Sequence, residues 1–298
     1  MRFALPSALA RPLPAPIVAA LCMLGMALCY AITANVARIM ASELNAVMIA
    51  LMRNAFGLLA MTPFLLRAPL LTTLRTQRPG LHLVRSACNL VSMLAWFWAL
   101  PYIVLADGVA LMFTGPLFAA AGAVLFLGER MGPRRCGATM IGFGGVWIIM
   151  RPGFDTVSLG LLAVLASAAL WAGMGLCNKR LTTTESATQI VAINLVIVLP
   201  ASFFLALFDW QWPSLVMLAL GAVHGFLGTA AHFFMARALA LADASFVMPF
   251  DFTRLPLAAV IAYVLFAQVP DGWTVAGAAV IFAATLYIAA RERQTRPR

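Results

Sequence analysis

Charge is scarce in this sequence. Only 10% of its 298 residues are Asp, Glu, Lys or Arg, against about a quarter in a soluble domain. With 63% apolar residues and a mean hydropathy of +0.97, a water-soluble chain is excluded, and the apolar runs leave almost no residues for a separate soluble domain. Cysteine is thin too: Cys22, Cys29, Cys88, Cys136 and Cys177 lie in or at the edges of apolar runs, where small buried thiols are expected rather than a disulfide or metal framework. Familiar catalytic signatures are missing. No GxxxxGK[ST], HExxH, CxxC or GxSxG pattern occurs, and Gly142-Phe143-Gly144-Gly145 echoes a dinucleotide fingerprint only inside an apolar run. No cofactor and no metal site are expected.

What the chain does have is a series of apolar runs. They predict spans at about 17 to 37, 46 to 66, 82 to 100, 104 to 127, 136 to 150, 158 to 177, 189 to 208, 214 to 236, 244 to 266 and 273 to 290. The fold class is therefore all-α, a polytopic membrane protein with the lipid bilayer as its first partner. The run after Pro6, Pro12, Pro14 and Pro16 is too long for a signal-peptide core, so the first span is expected to be retained. With the N-terminus in the cytoplasm, the inner loops and ends collect sixteen basic residues and the outer loops only Arg38 and Arg151. An odd error in the span count would scramble that asymmetry, so it supports both an even number and two cytoplasmic termini. The net charge of +10 reads as topology in an inner membrane, not as affinity for nucleic acid. Glu43, Asp155, Asp209 and Asp271 fall outside, and Trp147, Trp210, Trp212 and Trp273 stand where an outer aromatic belt would be.

The two halves echo each other. Ala106-Asp107, Pro116, Phe126-Leu127-Gly128-Glu129 and Gly137 recur loosely as Ala242-Asp243, Pro256, Leu265-Phe266-Ala267-Gln268 and Gly277. Residues 1–151 and 152–298 then hold five spans each, and because five is odd the second half enters the membrane from the opposite side. Arg53, Leu127-Gly128-Glu129-Arg130, Gly137 and the run Pro249-Phe250-Asp251-Phe252-Thr253-Arg254 leading to Pro270-Asp271 resemble the EamA-type branch of the drug/metabolite transporter superfamily. The resemblance covers essentially the whole chain. It implies ten helices in two inverted five-helix repeats around a central cavity, both termini cytoplasmic, and transport in either direction of amino acids, S-adenosylmethionine, riboflavin or other metabolites. Gln268 stands where the family's second repeat usually carries a glutamate.

A charged side chain at mid-bilayer costs about 2.5 to 3.5 kcal/mol, so each is expected to face a cavity or a partner. Asp251 and Arg254, three residues apart in the ninth span, are either a self-satisfied pair or one that opens for a zwitterionic or anionic substrate. Asp251 is the best single candidate for proton coupling, and replacing either residue is expected to abolish transport. Arg53 either reaches an interface or a carbonyl, or meets substrate. Arg85, Asn89, Ser92 and Trp96 form one helix stripe and Ser167, Trp171, Met174 and Asn178 a matching one, read as packing seams or as cavity walls. His224 and His232 lie roughly along one face of the eighth span, where they could relay protons or be structural, and Gly221 and Gly225 form a small-residue contact. The aromatic residues beside Arg254 and Asp251 lean toward a nucleoside-like or ring-bearing solute. The function expected is secondary active transport of a small organic metabolite by alternating access, with protons and a second copy of the chain as further candidate partners. A channel or an intramembrane enzyme is the alternative; neither a filter loop nor a catalytic set at depth is visible.

Overall fold

A computed structural model describes residues 14–65, 76–127, 133–151, 158–181, 183–242 and 248–295. Among them every extended element is helical: α1 (Ala15–Met40), α2 (Ala46–Leu65), α3 (Pro79–Ala99), α4 (Leu105–Met112), α5 (Gly115–Leu127), α6 (Pro133–Met150), α7 (Leu159–Leu181), α8 (Ala187–Ala206), α9 (Leu215–Leu241), α10 (Arg254–Phe266) and α11 (Gly272–Thr295). Seven helical stretches of at least 18 residues are apolar enough to cross a membrane, with Cys136–Met150 and Gly272–Ile288 as shorter apolar ones. Counting α4 and α5 as one interrupted span, the described helices supply the ten spans expected. Glu129, Asp155 and Asp243 lie outside the described residues, as do Arg67, Arg75 and the first 13 residues.

Local signals set the helix starts. Asn45, Ser186 and Ser214 each turn a side-chain oxygen back to accept from the backbone N–H three residues on, at 2.9, 3.2 and 3.2 Å, which satisfies a donor that the first helical turn leaves free. Pro79 opens α3, where its missing N–H costs nothing.

Two expectations change here. The fourth span is not continuous: Phe113 and Thr114 separate α4 from α5, and Pro116, second residue of α5, has no N–H to carry the helix across. The ninth span is not one α-helix either, because Met248–Thr253 is a 3-10 segment and α10 begins only at Arg254. Pro116 and Pro256 thus sit in the first turns of half-helices, not at mid-helix kinks. The cysteine expectation holds for Cys22 and Cys29, which are buried, whereas Cys136 is exposed and Cys88 and Cys177 are half-buried.

Loops group by parity at two faces. On the far face, the Asn45 amide donates to Asp209 at 2.8 Å and its N–H to Gln211 at 2.6 Å. Arg38 donates to the Leu100 and Ile103 carbonyls at 2.7 and 2.5 Å, Leu105 N–H donates to Gln268 at 3.1 Å, and Arg151 pairs with Asp271. Gln268, in the glutamate's place, therefore joins the two halves; the left-handed turn at Ala267, φ 53°, aims it after α10 ends. On the near face, where α1 begins, Glu185 accepts from Thr76 and pairs with His82 at 2.5 Å, and Arg78 donates to the Arg180 carbonyl at 2.9 Å. Only an alternating up-and-down path places these loops so.

Lipid tails are as apolar as Leu, so helices meet through small residues that let backbones approach. A Cβ on Gly145 would lie 2.8 Å from the Gly277 carbonyl, and one on Gly277 2.7 Å from the Gly145 carbonyl, so α6 and α11 touch backbone to backbone. The expected Gly221 and Gly225 contact joins α9 to α2: a Cβ on Gly225 would fall 2.5 Å from Phe56 Cβ and 2.9 Å from Gly57 N. Trp147, Trp212 and Trp273 are widely exposed, as residues at a lipid interface are.

Candidate functional site

The polar stripes of α3 and α7 face each other. Ser92 donates to the Ser167 carbonyl at 2.8 Å and Ser167 returns the bond at 2.7 Å, and Arg85 donates to Asn178. The stripes act as seam and wall together, because Asn89, Trp96, Trp171 and Met174 on the same helices turn toward a cavity.

That cavity encloses about 160 Å³ and gathers side chains from α1, α2, α3, α4, α7, α9 and α10. A second chamber of about 430 Å³ continues from it toward the near face, between α2, α3, α8 and α9. Arg53, Asn89, Met174, Gly228 and His232 border both. Together the chambers fall in the range of about 300–1,000 Å³ usual for small-molecule sites.

Of the side chains singled out in the sequence, Arg53, Asn89, Trp96, Trp171, His224, His232 and Arg254 line the first chamber. Asp251 does not. It stands behind Arg254, its Oδ2 3.9 Å from the guanidinium and its Oδ1 buried without a partner. Because Asp251 belongs to the 3-10 segment and Arg254 opens α10, the two do not share one α-helical face as expected, and no hydrogen bond closes the pair. Arg254 instead lies over the Phe113 ring at 4.7 Å and near the Tyr30 ring at 5.6 Å. Phe113 also stacks on Phe252 with centroids 4.3 Å apart. The interruption in the fourth span therefore meets the interruption in the ninth, the placement of discontinuous helices that builds solute sites in repeat-based carriers.

The indoles are seated by glycines. A Cβ on Gly108 would lie 3.2 Å from the Trp96 ring, and one on Gly115 3.2 Å from the Trp171 ring, so the fourth span gives up two side chains to let two flat rings reach the cavity. Among the described residues Arg53 hydrogen-bonds no carbonyl; its Nη1 contacts the Met93 sulfur at 3.5 Å. His224 packs edge-on against Phe97 at 5.5 Å with Nδ1 unpartnered. His232 contacts the Gly228 carbonyl through Nδ1 at 2.7 Å, which leaves Nε2 for the cavity.

Sequence reasoning missed Tyr30 and Thr33 of α1, Met112 of α4, and Thr188 and Asn194 of α8 as wall residues. Tyr30 alone carried a signal, as an aromatic hydroxyl inside an otherwise apolar span. No group of three or more metal-ligating side chains occurs among the described residues. Outside the spans, partial burial raises the Asp271 carboxyl, but the Thr274 backbone N–H and hydroxyl and Arg151 outweigh it and hold it below its ordinary value.

The near-face cluster ties the start of α3 to the turn before α8. His82 and Glu185 have side chains only 1% and 3% exposed, so Glu185→Ala leaves the buried His82 and the half-buried Thr76 without their acceptor. Leaving a buried polar group without its hydrogen-bond partner costs about 1–3 kcal/mol. The expected result is a clear fall in the thermal midpoint of the detergent-purified protein, with Glu185→Gln intermediate because it can still accept a hydrogen bond.

Comparison with known proteins agrees with this architecture. The sequence matches the EamA-like transporter family over residues 17–151 and again over 158–290. It is 36% identical over 279 residues to a riboflavin transporter of Vibrio cholerae serotype O1, covering 92% of this chain and 93% of that one. It is 37% identical over 245 residues to a riboflavin transporter of Rhizobium johnstonii, 81% of each chain. An S-adenosylmethionine uptake transporter of Rickettsia felis is 28% identical over 257 residues, 86% of this chain and 87% of that one.

Proposed function

Since the chain belongs to the EamA-like transporter family, we propose that it carries riboflavin, or a solute of the same planar-ring chemistry, by alternating access through the cavity between its two halves. Halves divided at residues 151 and 152 follow the two matched segments, one on each side of that point. The observation that carries the choice of solute is the wall itself: Trp96 and Trp171 offer two flat faces beside Arg254, and no carboxylate lines either chamber among the described residues. Isoalloxazine is flat, neutral and rich in carbonyl acceptors, so it suits indole stacking and guanidinium donors. A sulfonium cation would face arginines with no acidic counterpart. The greater identity to the two riboflavin transporters points the same way.

In this reading the near face, which carries the basic loops, lies in the cytoplasm of a bacterial cell and the protein resides in the inner membrane. Proton coupling would run through His224, His232 or Asp251, the titratable groups at the cavity and behind it, and would show as flavin movement that follows an imposed pH gradient.

The test is uptake of radiolabelled riboflavin by proteoliposomes. Saturable entry that is accelerated by unlabelled riboflavin inside the vesicle is expected. Riboflavin flux equal to that of empty liposomes, alongside saturable entry of S-adenosylmethionine or an amino acid, overturns the assignment.

A further inference from the structure

The two chambers differ in chemistry. The first is aromatic, with Trp96, Trp171, Phe97 and Tyr30 around Arg254. The second carries Asn89, Asn194 and Thr188 together with two guanidinium groups, Arg53 and Arg85. Asn89 donates to Asn194 at 3.2 Å, which leaves the Asn194 amide nitrogen and the Asn89 oxygen for a ligand. Arg85 holds Asn178 through Nε while its Nη1 is buried without a partner, and the residue is only 6% exposed. Arg53 meets nothing more polar than a methionine sulfur. Among the described residues no carboxylate pairs with either arginine. Two arginines in a low-dielectric wall without counter-charge are an arrangement that an acceptor-rich or anionic group would complete.

Building on the functional reading above, we infer that the second chamber is a separate subsite for the tail of the solute. It takes a polyhydroxylated chain on Asn89, Asn194 and Thr188, and it takes the phosphorylated form of that chain more tightly on Arg53 and Arg85. The flat ring occupies the first chamber, and Arg53, which borders both, marks the junction. Gly228 flanks that junction, where a Cβ would stand an ordinary 3.8 Å from the Arg53 guanidinium. The site then recognises flavins by two independent criteria, ring and tail, and accepts flavin mononucleotide as well as the free vitamin.

Quenching of flavin and tryptophan fluorescence in the purified full-length protein tests this with three probes: riboflavin, flavin mononucleotide and lumiflavin, which has the isoalloxazine ring with a methyl group in place of the tail. Riboflavin is expected to bind at least about tenfold more tightly than lumiflavin, and flavin mononucleotide at least about threefold more tightly than riboflavin, because charge-assisted hydrogen bonds exceed neutral ones. In Arg85→Gln the advantage of the phosphate disappears while lumiflavin binding stays unchanged. Lumiflavin binding as tightly as riboflavin, or flavin mononucleotide binding more weakly than riboflavin, overturns the subsite and leaves the transporter assignment standing. Binding of none of the three overturns the riboflavin assignment itself. The probe series on the unmodified protein decides the matter even if Arg85→Gln fails to fold.

Discussion

Arg254→Ala is expected to reduce the proposed riboflavin transport in proteoliposomes by roughly 100-fold, the equivalent of about 3 kcal/mol for a lost charged contact that had been held in place. Three groups hold the Arg254 side chain in place. Its guanidinium lies over Phe113 at 4.7 Å and near Tyr30 at 5.6 Å, and Asp251 stands 3.9 Å behind it, so it is oriented before any solute arrives. Removing it also leaves the half-buried Asp251 carboxylate without its cation, which destabilises a folded protein. Arg254→Lys separates the two effects. It keeps a cation for Asp251 but loses the planar fork and the stacking on Phe113, so normal membrane levels with at least about a tenfold loss of transport are expected. Asp251→Asn loses less, because Asp251 is not on the cavity wall and acts by orienting Arg254. Transport at the unmodified rate in both arginine variants would remove Arg254 from solute binding.

Gly225→Val has the second large effect, on the fold. The new Cβ would stand 2.5 Å from Phe56 Cβ, 2.9 Å from Gly57 N and 3.0 Å from the Arg53 carbonyl. Two of these contacts are backbone atoms and the third is fixed to the backbone, so no rotamer change relieves them. Overpacking of this kind costs about 1–3 kcal/mol or more, and α2 must move away from α9. Because Arg53 and His232 ride on those helices, the expected outcome is a thermal midpoint lowered by roughly 5–10 °C together with weakened riboflavin binding. Gly228→Ala serves as the contrast: its Cβ would meet Arg53 at an ordinary 3.8 Å, so the midpoint is expected to hold. Equal stability of Gly225→Val and the unmodified protein would show that the close crossing is dispensable.

The periodic and compositional features of the sequence reached the fold, and local ones reached much of the site. Arginines 53 and 254 were visible because a charge inside an apolar run is costly enough to demand a reason, and the stripe containing Asn89 and Trp96 because four polar or aromatic residues recur at helical spacing. Helix interruptions were less legible. The run 104 to 127 is apolar apart from Asp107 and Thr114, and Pro116 signals a break only when a partner such as Phe252 arrives from 139 residues further along the chain to meet Phe113. Asp251 was placed on the wrong helix type because its spacing from Arg254 suits an α-helix and a 3-10 turn almost equally. The seats at Gly108 and Gly115 were hidden for another reason: a glycine in an apolar run reads as packing, and the indole it accommodates belongs to a different helix.

Gly145 and Gly277 come from matching helices of the two halves and press carbonyl against Cα, yet neither α6 nor α11 contributes a side chain to either chamber. Among the described residues this crossing is therefore set apart from the chambers that the proposed cargo would occupy. Residues around the solute could be exchanged for a new passenger without disturbing the contact that joins the two matched segments.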